Sequence, residues 1–105
     1  MRHDVSALIA AALALLAGTA AAPAAENVAA GKALAERWCS SCHLVSPDQA
    51  SATTEAPPFA TIAERPQEEI EELDVFLAQP HPPMPPVNLS RQEIKDVLAY
   101  IASLK

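Results

Sequence analysis

At 105 residues the chain has room for one small domain, and its formal charge of −6 excludes a nucleic-acid binder, which needs a basic surface for phosphates. The same charge excludes attraction to an anionic membrane surface. Trp38, Phe59, Phe76 and Tyr100 are the only aromatics, so a domain this small needs a staple beyond its own apolar side chains.

The chain opens on a short polar stretch, Met1 to Asp4, carrying Arg2. Ala7 to Ala17 is wholly apolar, and Gly18 to Ala25 is small and alanine-rich. That is the order of a secretory signal peptide, and Ala22-Pro23-Ala24 supplies the cleavage pattern. Residues 1–24 are therefore expected to be a cleavable signal peptide and residues 25–105 the domain, exported to the periplasm. A cut after Ala22 would set Pro23 just past the scissile bond. A retained anchor is the alternative, but the apolar core falls short of the roughly 20 residues a span needs. Gly18, Thr19 and Pro23 would also spoil its helix, so no stable membrane insertion is expected after processing. In an exported chain two cysteines ordinarily suggest a disulfide.

Glu26 to Trp38 reads as a helix, with Ala30, Leu34 and Trp38 recurring every four residues and Asn27 as N-cap. Gly31 is the one glycine beyond the leader, and inside a helix it costs about 1 kcal/mol relative to alanine. Close approach by another helix would account for it. Cys39-Ser40-Ser41-Cys42-His43 follows, the C-x-x-C-H pattern of c-type haem attachment. On one helical turn, residues three and four apart share a face, with Cβ atoms roughly 5–6 Å apart. Cys39, Cys42 and His43 can thus converge on one porphyrin, two thiols adding to its vinyl groups while the imidazole reaches the iron.

Leu44 to Thr61 has no period, and a long loop in a small domain usually covers a ligand. Pro66 suits the first turn of a second helix reaching about Gln79. Ile70, Leu73, Phe76 and Leu77 form its expected apolar face; Glu68, Glu69, Glu71, Glu72 and Asp74 crowd a solvated one. In Pro80-His81-Pro82-Pro83-Met84-Pro85-Pro86 the ring-locked φ angles and missing N–H groups forbid helix, so an extended, stiff segment holds Met84. Ser90 and Glu93 form a capping box, and the last helix carries Ile94, Val97, Leu98, Ile101 and Leu104 as an apolar stripe. The expected class is all-α.

These residues together resemble the class I c-type cytochromes, the small monohaem electron carriers, over essentially all of residues 25–105. Gly31 stands before Cys39 as the family's helix glycine does, and Asp96 to Ile101 is similar to its C-terminal helix. Ala56-Pro57-Pro58-Phe59 resembles the family's Gly-Pro-x-Leu loop, with alanine for the usual glycine. Pro83-Met84-Pro85 ahead of Leu89-Ser90 resembles its sixth-ligand loop. The resemblance implies a cytochrome c fold of three main helices around one covalent haem c, with long proline-rich loops. It implies that Gly31 and Tyr100 meet where the terminal helices cross, and that the Pro57 carbonyl accepts a hydrogen bond from His43. It implies His43 and Met84 as axial ligands, a pair that raises the potential relative to two histidines. Ala35 stands where many members carry an aromatic, so Leu34 or Trp38 is expected to compensate.

The function so implied is single-electron transfer by a periplasmic monomer serving larger redox proteins: a dehydrogenase, oxidase or reductase. No nucleophile–base pair accompanies the motif, so no catalysis is assigned. An electron-accepting subunit of a dehydrogenase complex is the alternative. His81 competes with Met84 for the iron. Haem-free rivals are a dithiol protein using Cys39 and Cys42, which lacks its usual strand context, and a zinc site built from Cys39, Cys42, His43 and His81.

Overall fold

The computed structural model describes residues 18–19, 24–53, 56–79 and 82–105. Most of the expected signal peptide, and His81, lie outside the described residues. Four helices follow one another: α1 (Val28–Trp38), α2 (Phe59–Ala63), α3 (Gln67–Ala78) and α4 (Arg91–Ala102). No strand occurs among the described residues, and the fold is all-α. α4 is the hub, packing along α1 and touching both α3 and α2.

Each long helix starts where its local chemistry dictates. The Asn27 side chain accepts the Ala30 N–H at 2.9 Å, so α1 begins at Val28, two residues later than its apolar period suggests. In α4 the Ser90 hydroxyl takes the Glu93 N–H at 3.2 Å while the Glu93 carboxylate takes the Ser90 N–H at 2.7 Å, a reciprocal cap. Pro66 sits at the cap of α3, not within its first turn as the sequence suggests. Its fixed φ still leads into the helix.

α1 buries only Gly31 and Ala35, which lets it lie close on α4. A Cβ on Gly31 would land on the Asp96 carbonyl and stand 2.9 Å from the Val97 nitrogen. The glycine therefore meets α4 backbone first; Tyr100, one turn on, turns its hydroxyl to the Val45 carbonyl at 2.6 Å. Asp96 is 6% exposed, and its Oδ1 accepts the Asn27 N–H at 2.8 Å and the Gln92 amide at 2.9 Å. A buried carboxylate thus caps the positive end of α1 from the neighbouring helix.

The core gathers Ala35, Cys39, Val45, Phe59, Ala63, Val97, Tyr100 and Ile101, with Leu34, Leu77, Leu98 and others packed against it. Leu34 joins this core beside the fully buried Ala35, whereas Trp38 is 51% exposed with the Arg37 guanidinium 5.0 Å from its ring centre. Three further features differ from expectation. α2 begins inside the stretch read as loop and runs two residues past it, because the Pro58 carbonyl accepts the Thr61 and Ile62 N–H groups and Phe59 and Ala63 bury one turn apart. Phe76 is 54% exposed: Ile70, Leu73 and Leu77 share the packed face, and Phe76 falls about 100° round from Leu77. Pro82 and Pro83 lie in a turn, so that part of the proline run is not extended.

Candidate functional site

The helical geometry of α1 continues for one turn past its end. The Cys39 N–H reaches the Ala35 carbonyl at 2.9 Å, and the Cys39 carbonyl takes the N–H groups of Cys42 at 3.2 Å and His43 at 2.9 Å. Cys39, Cys42 and His43 therefore stand on one turn, offset by three and four residues. No disulfide joins the two cysteines; Cys39 is buried and Cys42 half-buried. Burial, and secondly its neighbour Cys42, push the Cys39 thiol up to about 11. At neutral pH it is a protonated thiol, unlike the low-pKa thiolate a dithiol oxidoreductase depends on.

His43 is half-buried, with its Nδ1 2.6 Å from the Pro57 carbonyl oxygen. A carbonyl can only accept, so Nδ1 carries the proton and donates. In the neutral ring the lone pair is then on Nε2, the arrangement a metal ligand requires. Phe59, two residues past Pro57, sets its ring 5.3 Å from the imidazole, and Tyr100 stands 6.5 Å beyond Phe59.

The backbone around the turn is held by residues that carry no sequence signal. The Ser41 carbonyl accepts from Thr53 twice, from the N–H at 2.8 Å and the hydroxyl at 2.6 Å. The Leu44 carbonyl takes the Phe59 N–H at 2.9 Å, and Gln49 bonds to both the Ser40 and His43 carbonyls. Burial raises the pKa of the Tyr100 phenol, so it remains the donor to Val45. Gln49 and Thr53 sit in a stretch without periodicity, and nothing local marks them.

Met84 lies on the separate stretch between α3 and α4, half-buried between exposed Pro83 and Pro85. Beside this stretch Leu77, Ala78, Gln79, Pro86, Val87 and Asn88 line a cleft of about 330 Å³. The donor set suits a covalently attached haem: two thiols outside any disulfide and an imidazole on one turn, the imidazole turned with Nδ1 to a carbonyl and Nε2 left for a metal. Among the described residues no three His, Cys, Asp or Glu side chains gather as a metal site, and His81, which the zinc reading needs, lies outside them. No helix among the described residues is long and apolar enough to cross a membrane.

The cytochrome c family model matches residues 28–105. The cytochrome c-552 of Bradyrhizobium diazoefficiens is 51% identical over 75 residues, covering 71% of this chain and 72% of that protein. No solved structure matches the chain.

Proposed function

We propose, on the premise that this chain belongs to the cytochrome c family, that it carries single electrons in the periplasm with His43 and Met84 as its two axial ligands. A covalent haem c and an electron-carrier role come with the family. The proposal adds the ligands, the compartment and the removal of residues 1–24. Haem c, when bound, supplies the one-electron iron couple.

The remaining work falls to the chain. Cys39 and Cys42 would hold the group by thioether bonds. His43 offers Nε2 while the Pro57 carbonyl fixes its ring and raises its basicity. The Met84 thioether, on a proline-flanked stretch, would hold the iron from its own side, where a thioether favours the reduced state and excludes exogenous ligands. No acid–base group is required, so no residue is assigned to catalysis. The observation that carries the reading is the 2.6 Å contact between His43 Nδ1 and the Pro57 carbonyl, which leaves Nε2 alone to bind.

The partners are larger redox proteins: a dehydrogenase, oxidase or reductase. The alternative, a bound electron-accepting subunit, draws support from the exposed carboxylates of α3, Glu68, Glu69, Glu71, Glu72 and Asp74, which suit a basic partner face. Chromatography at moderate salt separates the two: a monomer fits the shuttle, a retained complex the subunit.

The deciding test is the visible and near-infrared spectrum of the exported, oxidised protein. A sulfur-to-iron charge-transfer band is expected, lost in Met84→Ala together with a lower potential and new binding of carbon monoxide or cyanide. Unchanged spectrum and potential in that variant remove Met84 from the iron. Mass spectrometry of the same material is expected to begin at Ala25; a chain still carrying the leader overturns the processing assignment.

A further inference from the structure

The stretch between His43 and α2 reads as featureless, yet one of its side chains does much to hold the site. Gln49 Oε1 accepts the Val45 N–H at 2.9 Å. Its Nε2 stands 2.7 Å from the Ser40 carbonyl, 3.0 Å from the His43 carbonyl and 3.0 Å from the Ser51 carbonyl. An amide carries two N–H bonds and a rigid plane, so three carbonyls converging on one nitrogen share its donors. That plane links the residue just after Cys39 to the histidine that ends the motif, and Val45, the next anchor, is 1% exposed.

We propose that Gln49 is a positioning residue for His43: its amide fixes the Ser40–His43 backbone, and so the rotation of the imidazole about the axis to the iron. The proposal rests on His43 being the ligand. The Pro57 carbonyl holds the ring at one atom, Nδ1, and a ring held at one atom can still tip about it. Gln49 holds the same residue at its other end, the main-chain oxygen. Two grips at opposite ends define the ring plane where one does not. Thr53, closing on the Ser41 carbonyl between them, supports the turn at Ser41.

The test uses the exported haem protein and the variants Gln49→Met and Gln49→Glu. Methionine fills the space but removes donor and acceptor; glutamate keeps the acceptor for Val45 and removes both donors. The readout is the pattern of hyperfine-shifted haem methyl resonances in the oxidised state, which follows the orientation of the axial imidazole, with the melting temperature measured beside it. Both variants are expected to reorder or compress that pattern, and Thr53→Val to leave it close to wild type while lowering the melting temperature. A wild-type methyl pattern in Gln49→Met, whatever its melting temperature, overturns the positioning role. Should the methionine variant fail to accumulate, Gln49→Glu decides on the same criterion. If wild type itself carries no histidine-ligated haem, its absorption spectrum shows so first, and the site assignment falls with the proposal.

Discussion

The α1–α4 crossing and the Ser40–Phe59 loop hold the same small core by opposite means. At the crossing, main chain lies on main chain: Gly31 meets the Asp96 carbonyl with no side chain between them. In the loop, backbone carbonyls are reached by side chains from a distance: Gln49 to Ser40 and His43, Thr53 to Ser41, Tyr100 to Val45. The crossing is governed by sterics, so a single added carbon breaks it. The loop is governed by hydrogen bonds, each of modest net worth, so it should weaken in steps. Gly31→Ala tests this contrast most harshly. Elsewhere in a helix that change is worth about 1 kcal/mol in favour of alanine. Here the added Cβ must push the helices apart, and overpacking of that kind costs about 1–3 kcal/mol, more for Gly31→Val. Thermal unfolding should show both variants less stable, valine the worse. A Gly31→Ala protein as stable as wild type would mean that the crossing yields more easily than its backbone contact implies.

Asp96 sharpens the comparison, because it brings a hydrogen-bonded device into the steric region. Its carboxylate is buried and accepts from the Asn27 N–H, just ahead of α1, and from Gln92, which also reaches the Ala25 carbonyl at 3.3 Å. Removing it leaves the Asn27 N–H without its acceptor, so Asp96→Ala is expected to cost about 2 kcal/mol, the range for bonds to a charged group. Asp96→Asn keeps an oxygen in place and should lose less. Denaturant unfolding measures both, and an unchanged midpoint in Asp96→Ala would leave Gly31 alone to explain the crossing.

The legible features were those with a short-range pattern. The C-x-x-C-H turn, the Asn27 and Ser90 caps and the apolar stripe of α4 each depend on residues three or four apart, which any single sequence displays. Features set by contacts across the chain were not legible. Asp96 lies off the apolar stripe of its helix, and nothing in that pattern marks it for burial against α1. Gln49 is one polar residue among loop formers, and its role exists only because Ser40, His43 and Ser51 fold around it. α2 is five residues long, too short to show a period. Phe76 failed in the other direction: its place among apolar neighbours suggested burial, but the packed face is narrower than the pattern.

Tyr100 joins the two regions, since it rises from α4 and bonds the loop at Val45, and it carries the smallest of these effects. Tyr100→Phe keeps the ring beside Phe59 and removes one neutral hydrogen bond, a loss of about 1 kcal/mol at neutral pH. The pH dependence gives the test its edge. Burial, foremost, raises the phenol above its ordinary 10.0, so the folded state holds the proton where the unfolded state releases it. The stabilisation from that proton is therefore complete below pH 10, and it is lost as the pH climbs past 10 through the raised folded value. The gap between wild type and Tyr100→Phe should thus be constant at neutral pH and shrink in alkali. Equilibrium unfolding of both proteins across that range measures it. A gap that widened instead would mean that the phenol ionises more readily folded than unfolded, and that the bond to Val45 is not what ties α4 to the loop.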